Sequence, residues 1–337
     1  MRIHRIFFAV LALGVALAPT PSLGARLKIA TLSPDGSAWM AQMRKGADEV
    51  AARTQGRVEI KYYPGGVMGT DTAVLQKMRI GQLQGATLMA GSVSGIYPDI
   101  EIYSLPMKFR SLDEVDHVRK QMDPVLLTPL EKKGLVAIGI AEGGFAYMLS
   151  KHPIQNLADL RQRKMWVPND DPNILEGVKA FDLRPIPLAI ADVLTGLQTG
   201  LIDTVTTSPI GAVALQWHTQ VKHLLDVPFM YICALLVVDQ KAFSRLSPED
   251  QPVVREILSR MFAEIDRQNR KDNIQAMMAL RNQGIAAIPP TAEALAELRE
   301  RSERVPRNLV SSGRISEGIV RTLEENLDAY RRKSTVR

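Results

Sequence analysis

The chain has 337 residues, 42 of them Lys or Arg and 36 Asp or Glu, for a formal net charge of +6. Hydrophobic residues at 46% and charged residues at 23% are globular proportions and exclude a wholly disordered chain. A single cysteine, Cys233, excludes an intramolecular disulfide framework and a cysteine-based metal cluster, and no basic run interleaved with aromatics points to nucleic acid.

Arg2 and Arg5 precede an apolar run over residues 6–18, followed by Pro19, Pro21 and small residues ending Ser22-Leu23-Gly24. This is the pattern of a secretory signal peptide, residues 1–24, cleaved before Ala25. The run falls short of the ~20 apolar residues a membrane span needs. No later run is long and apolar enough either, so the exported chain reads as soluble, with a length that suits about two domains.

Residues 27–32 read as a strand, 33–37 as a turn, and 38–53 as a helix with Met40, Met43, Ala47 and Val50 on one face. The alternation over 58–63 completes a βαβ unit. A helix over 72–81 and a strand over 85–90 repeat the pattern, which argues for α/β layers. Strands follow over 135–140, 145–150 and 164–167, helices over 170–181 and 190–199, and a short strand over 203–206. The nearly all-apolar stretch 229–239 suits a strand buried on both faces. From Pro248, placed as a first-turn proline, to about Arg281 the spacing predicts one long helix, closed by Gly284. About 34 residues at 1.5 Å each reach roughly 50 Å, long enough to brace two lobes. Helices over 291–301 and 316–332 and a loose tail over 333–337 end the chain.

Catalytic motifs are missing. No nucleophile elbow, zincin motif, EF-hand loop or Walker A sequence is present, and the glycine-rich turn 64–69 lacks the Lys-Ser/Thr that would hold phosphate. His218 and His223, five apart, do not share a helical face. Asp170 and Asp171, in Pro-Asn-Asp-Asp-Pro, read as caps of the helix after Pro172 rather than as an acid/base pair. Cys233, inside the most apolar run, reads as inert core. The sequence thus calls for no metal or cofactor and no catalytic residue.

Three stretches carry a resemblance to a known family. Leu105-Pro106-Met107-Lys108-Phe109-Arg110-Ser111 is similar to "LPFLFRS". Ser150-Lys151-His152-Pro153-Ile154, leading through Asp159-Leu160 into Lys164-Met165-Trp166-Val167-Pro168-Asn169, is similar to "SKxPI…DLKGLKIRVPN". Pro185-Ile186-Pro187-Leu188 with residues 196–203 is similar to "PxPM…ALQTGxVDG", and the turn after Pro64 to "PGGQLG". In this order the chain resembles the dicarboxylate-binding (DctP-type) solute-binding proteins of TRAP transporters. The resemblance implies a two-lobed α/β periplasmic receptor, of the type II binding-protein kind, that closes over a small organic solute and delivers it to an ion-gradient-driven membrane permease. Membrane contact would come only through that permease, and no ATP is needed. The lobes implied are 25–147, completed by about 230–250, and 148–229, completed by part of the C-terminal helices, with 248–332 bracing both. An exported sensor signalling through a membrane partner, and an enzyme on the same scaffold, are the alternatives.

The departures bear on the ligand. Where the family's "KIRVP" carries the arginine that grips a carboxylate with two parallel hydrogen bonds, this chain has Trp166. A second arginine position, counted from Gly144, is Ala146, and an asparagine position is Thr207. Losing a buried charge partner costs a carboxylate ligand about 2–5 kcal/mol. The resemblance therefore points to a branch with a neutral or hydrophobic ligand, bound by Trp166, Ala146, Thr207 and Asn169 with Phe145, Trp217, Phe229 and Tyr231 as aromatic neighbours. Ser92, just past a strand, reads either as a ligand contact or as a turn cap, and Trp166 and Trp217 either as cleft lining or as core. Arg110 and Lys164 are the candidates for a substitute cation.

Overall fold

The structure, a computed structural model, describes residues 24–335 apart from residue 170. Of the leader read over 1–24, all but Gly24 lies outside the described residues, as does Asp170 of the expected aspartate cap.

β1 (Ala25–Thr31), α1 (Ala38–Arg53) and β2 (Val58–Tyr63) form the opening unit, with β1 and β2 parallel as a crossover helix requires. The Ser37 side chain caps α1 by accepting from the Met40 amide, and the expected stripe is buried. α2 (Asp71–Arg79) leads to β3 (Gly85–Met89), parallel to β1 on its other side. The strand read over 85–90 ends one residue early, because α3 (Ala90–Val93) begins there. A 3-10 helix, Pro98–Ser104, and α4 (Leu112–Lys132) follow. α4 escapes the periodic reading because Pro124 and Pro129 sit inside it, yet Val115, Val118, Met122, Leu126 and Leu130 form a buried stripe.

β4 (Leu135–Ser150) is a single strand of 16 residues where the sequence suggested two. The gap between them is a bulge: the register slips between Glu142 and Gly144, and Gly144 has φ +93. A bulge of this kind bends the strand without ending it. Up to Ala146 the strand pairs antiparallel with β9, and from Tyr147 to Ser150 with β7 and β8. β4 thus carries the chain from one half of the molecule to the other.

The second half holds α5 (Leu157–Arg161), β5 (Trp166–Pro168), α6 (Pro172–Lys179), β6 (Ile186–Leu188), α7 (Val193–Thr199), β7 (Thr204–Thr207), α8 (Pro209–Ala214) and β8 (His223–Leu225). β5 and β6 pair parallel as a small sheet of their own. The chain then returns through β9 (Met230–Asp239) and α9 (Gln240–Ser244) to α10 (Asp250–Asn282). β10 (Ala286–Ile288), α11 (Ala292–Ser302), α12 (Arg304–Ser311) and α13 (Glu317–Thr335) complete it. The main sheet runs β10-β8-β4-β9-β3-β1-β2, with β7 also beside β4. β9 is buried on both faces only over residues 235–238, its first half alternating because Met230 and Ile232 face the cavity, and its neighbours β3 and β4 both run antiparallel to it.

α10 is the long brace, 33 residues packed on α1, β4 and α8. Pro248 lies outside it, since the helix begins at Asp250 after Glu249; Gly284, with φ +87, follows the Gln283 cap. α12 is missing from the sequence reading, being a single eight-residue element. α13 absorbs residues read as a loose tail, and Arg332 and Lys333 in its last turn favour that end. The result is a two-lobed architecture with β4 and β9 between the lobes and α10 lying across both.

Candidate functional site

Between the lobes lies a cavity of about 300 Å³, at the small end of the ~300–1,000 Å³ range usual for small-molecule sites. Ser92 of α3, Glu101 of the 3-10 helix, and Leu105-Pro106 wall one side. Met165–Pro168, the start of α6 and residues 206–208 wall the other. Phe229, Met230, Ile232 and Gly143 form the floor along the crossing strands, and Val305 and Leu309 of α12 close the end.

Aromatic and aliphatic groups dominate this lining. Trp166 is 5% exposed and sits edge-on to Trp217, with ring centroids 5.1 Å apart. The Trp166 indole Nε1 donates to the Leu188 carbonyl at 3.0 Å, so its polar atom is satisfied inside the protein and its rings are left for packing. Both tryptophans are therefore core and lining at once, because one apolar cluster of the second lobe forms a wall of the cavity. Phe181 and Phe229, centroids 5.5 Å apart, continue the surface.

Five residues singled out in the sequence line the cavity: Trp166, Trp217, Phe229, Thr207 and Ser92. Four do not. Ala146 is fully buried in β4, where its carbonyl accepts from the Phe229 amide at 2.8 Å. Phe145 packs edge-on against Tyr231, centroids 6.0 Å apart. Tyr231 points away along the alternation of β9, donating its hydroxyl to Glu142 at 3.1 Å. Asn169 is exposed beyond β5. The bulge in β4 and the strand alternation, which counting from a motif does not include, decide which side chains face the cavity.

Neither substitute cation reaches the cavity. Arg110 is exposed, and Lys164 is exposed with its Nζ donating to the Gly200 carbonyl at 3.0 Å. Lys108, in the same motif as Arg110, is buried but held between Glu303 and Glu324, each at 3.0 Å. Among the described residues, no Lys, Arg or His lines the cavity. Thr206 Oγ1, by contrast, is a buried lining hydroxyl without a hydrogen-bond partner.

Among the described residues, the acidic side chains that line the cavity are Glu101 and Asp171. Asp171 caps α6 as read, its Oδ1 accepting from the Asn173 and Ile174 amides at 3.1 and 2.9 Å. Burial first, and the neighbouring Asp171 second, push the Glu101 carboxyl well above the usual carboxylate range. The sequence reading missed Glu101; its signal is a lone acid between Ile100 and Ile102, both fully buried. Cys233 also borders the cavity, and complete burial pushes its thiol up to about 12, which makes it inert at neutral pH. No cluster of side chains suited to a metal ion occurs among the described residues.

A cavity between two lobes, joined by crossing strands and braced by one helix, is the build of a periplasmic solute receptor. The model of the bacterial extracellular solute-binding protein family 7 (DctP) matches residues 29–312, and the chain belongs to that family, the receptors of TRAP transporters. A 2,3-diketo-L-gulonate-binding periplasmic protein of Escherichia coli is 29% identical over 258 residues, 74% of this chain and 77% of its own. The C4-dicarboxylate-binding periplasmic protein of Rhodobacter capsulatus is 26% identical, over 71% of this chain and 74% of its own. Among solved structures, the sugar acid binding protein of Advenella mimigardefordensis in complex with galactonate superposes with a TM-score of 0.84 at 18% identity, over 91% of this chain and 98% of its own. A TRAP periplasmic binding protein of Desulfovibrio salexigens with bound orotic acid gives 0.83 at 19% identity, over 90% and 99%. The family is one of receptors and not of enzymes, and no helix among the described residues is long and apolar enough to cross a membrane.

Proposed function

We propose that this receptor captures a neutral, largely apolar solute and passes it to a TRAP permease. The observation that carries the proposal is the cavity lining: Trp166 stands at the motif's arginine position, and no cation among the described residues replaces it. A carboxylate placed there would lose its hydration without gaining a partner, and would face the charge of Asp171. The relatives named above for diketogulonate and C4-dicarboxylate make an acid the competing reading. We further take the lobes to divide near residue 147, a reading supported by the change of β4's partners between Ala146 and Tyr147. Ser92, Thr207, Trp166 and Trp217 are then the ligand contacts.

Thermal denaturation against matched pairs of small solutes, a neutral alcohol or amide and the carboxylate of the same carbon skeleton, tests this. A ligand that binds the folded state alone raises the melting temperature. Larger shifts from the neutral members support the reading; larger shifts from the carboxylates across the pairs overturn it.

A further inference from the structure

Two carboxyl groups meet in the cleft from opposite sides. Glu101 comes from the 3-10 helix packed on β9 and α3, and Asp171 from the start of α6, which follows β5 in the other half. Each is 5% exposed. Asp171 Oδ1 accepts from the two α6 amides, and a side-chain hydrogen bond joins Asp171 to Glu101. Glu101 Oε2 accepts from the Asn173 side-chain amide. Gly91 makes the meeting possible: a Cβ there would overlap Asp171 Oδ2 and stand 2.9 Å from Glu101 Oε1. Among the described residues, no salt bridge reaches Glu101, unlike every other buried glutamate described.

Two facing carboxylates at this range cannot both stay ionised, whereas one proton between them turns repulsion into a short, charge-assisted hydrogen bond. We propose that closure of the cleft takes up one proton, held between Glu101 and Asp171, so that the proton is a second ligand of this receptor and latches its lobes. Apart in an open cleft, the two groups return to water and to ordinary carboxyl behaviour. The surroundings agree. α3 brings no titratable side chain, and α12 presents Val305 and Leu309. On α6, Glu176 and Lys179 pair with each other, and Asp99 on the 3-10 helix accepts from Ser316 at 2.7 and 2.8 Å. Arg314 acts on Glu101 in the opposing sense, as does Asn173, and burial with the Asp171 charge outweighs both.

The sign follows from linkage. The closed state binds the extra proton, so closure is strongest below the ordinary carboxyl range and is lost as pH rises toward the raised value of the pair. Inside that window the closing equilibrium changes by up to about tenfold per pH unit.

Small-angle X-ray scattering of the ligand-free protein between pH 5 and pH 9 tests the latch without any solute, so an acidic cargo would overturn the proposed ligand class and leave this standing. The wild-type radius of gyration falls as pH falls. In Glu101→Gln and Asp171→Asn a side-chain amide supplies the bridging hydrogen, so both variants stay compact and lose the pH dependence. A wild-type radius independent of pH, or variants that track the wild type, overturns the proposal. Should a variant fail to fold, carboxyl ¹³C NMR of the wild type reads the pair directly. One glutamate titrating above the ordinary range upholds the latch, and none doing so overturns it.

Discussion

Two buried glutamates on either side of the crossing strands are treated in opposite ways. Glu142, at the β4 bulge, is fully buried and gripped by Arg270 through Nη2 at 2.7 Å and Nε at 3.0 and 3.1 Å, with the Tyr231 hydroxyl at 3.1 Å. Arg270 also holds Asp116, and keeps that carboxyl below its usual range. Beside it Arg119 binds Asp266, Asp123 and the Ile140 carbonyl. Glu101, in the cleft, has an amide and another acid for company. The back of the hinge is wired with charge, and among the described residues no cation lines the cavity. Arginine is therefore not scarce in this chain; Arg119 and Arg270 hold α4, β4 and α10 together.

The most forceful way to break that contrast is Arg270→Ala. It leaves Glu142 buried without its cation, a loss of about 3–5 kcal/mol, read by chemical denaturation; a loss below about 1 kcal/mol would mean the hinge network is not what binds α10 to β4. Gly91→Ala acts on the cleft instead. Its Cβ drives Asp171 away from Glu101, and an overpacking cost of about 1–3 kcal/mol on closure predicts a roughly 5- to 150-fold loss of solute affinity with little loss of fold stability. Unchanged affinity would show that the carboxyl pair does not meet in the closed receptor. Trp166→Phe removes the indole bond to the Leu188 carbonyl while keeping an aromatic wall, and should cost about 1 kcal/mol of stability. The weakest effect belongs to the exposed pair Arg53–Glu256 linking α1 to α10; Arg53→Ala should denature like the wild type, since exposed ion pairs are screened by water and salt.

Much of the fold was legible because it rests on short-range patterning. α1 and β2 fall where periodicity put them, and α10 announces itself by Val254, Ile257, Leu258, Met261 and Ile265 at helical spacing. α4 was hidden by its two prolines, and α12 by its brevity and by Pro306 inside it. The site was legible in part. Trp166 and Thr207 were singled out because they stand at the motif's arginine and asparagine positions, and Trp217 as an aromatic neighbour; all three line the cavity. Tyr231 and Phe145 turn to the hinge, an outcome that depends on strand register and on a bulge no local pattern encodes. Glu101 and Asn173 become neighbours only when residues 72 apart in the chain are brought together, a long-range contact that spacing along the chain does not carry.

The central claim is that the cation-free cavity belongs to a solute without a carboxylate. Extracting the natively purified, exported protein with organic solvent, and identifying by mass spectrometry whatever is released in near-equimolar amount, tests it most directly. A neutral, largely apolar compound is the predicted cargo. A dicarboxylate or a sugar acid recovered at that stoichiometry would contradict the claim and return the receptor to the ligand class of its relatives.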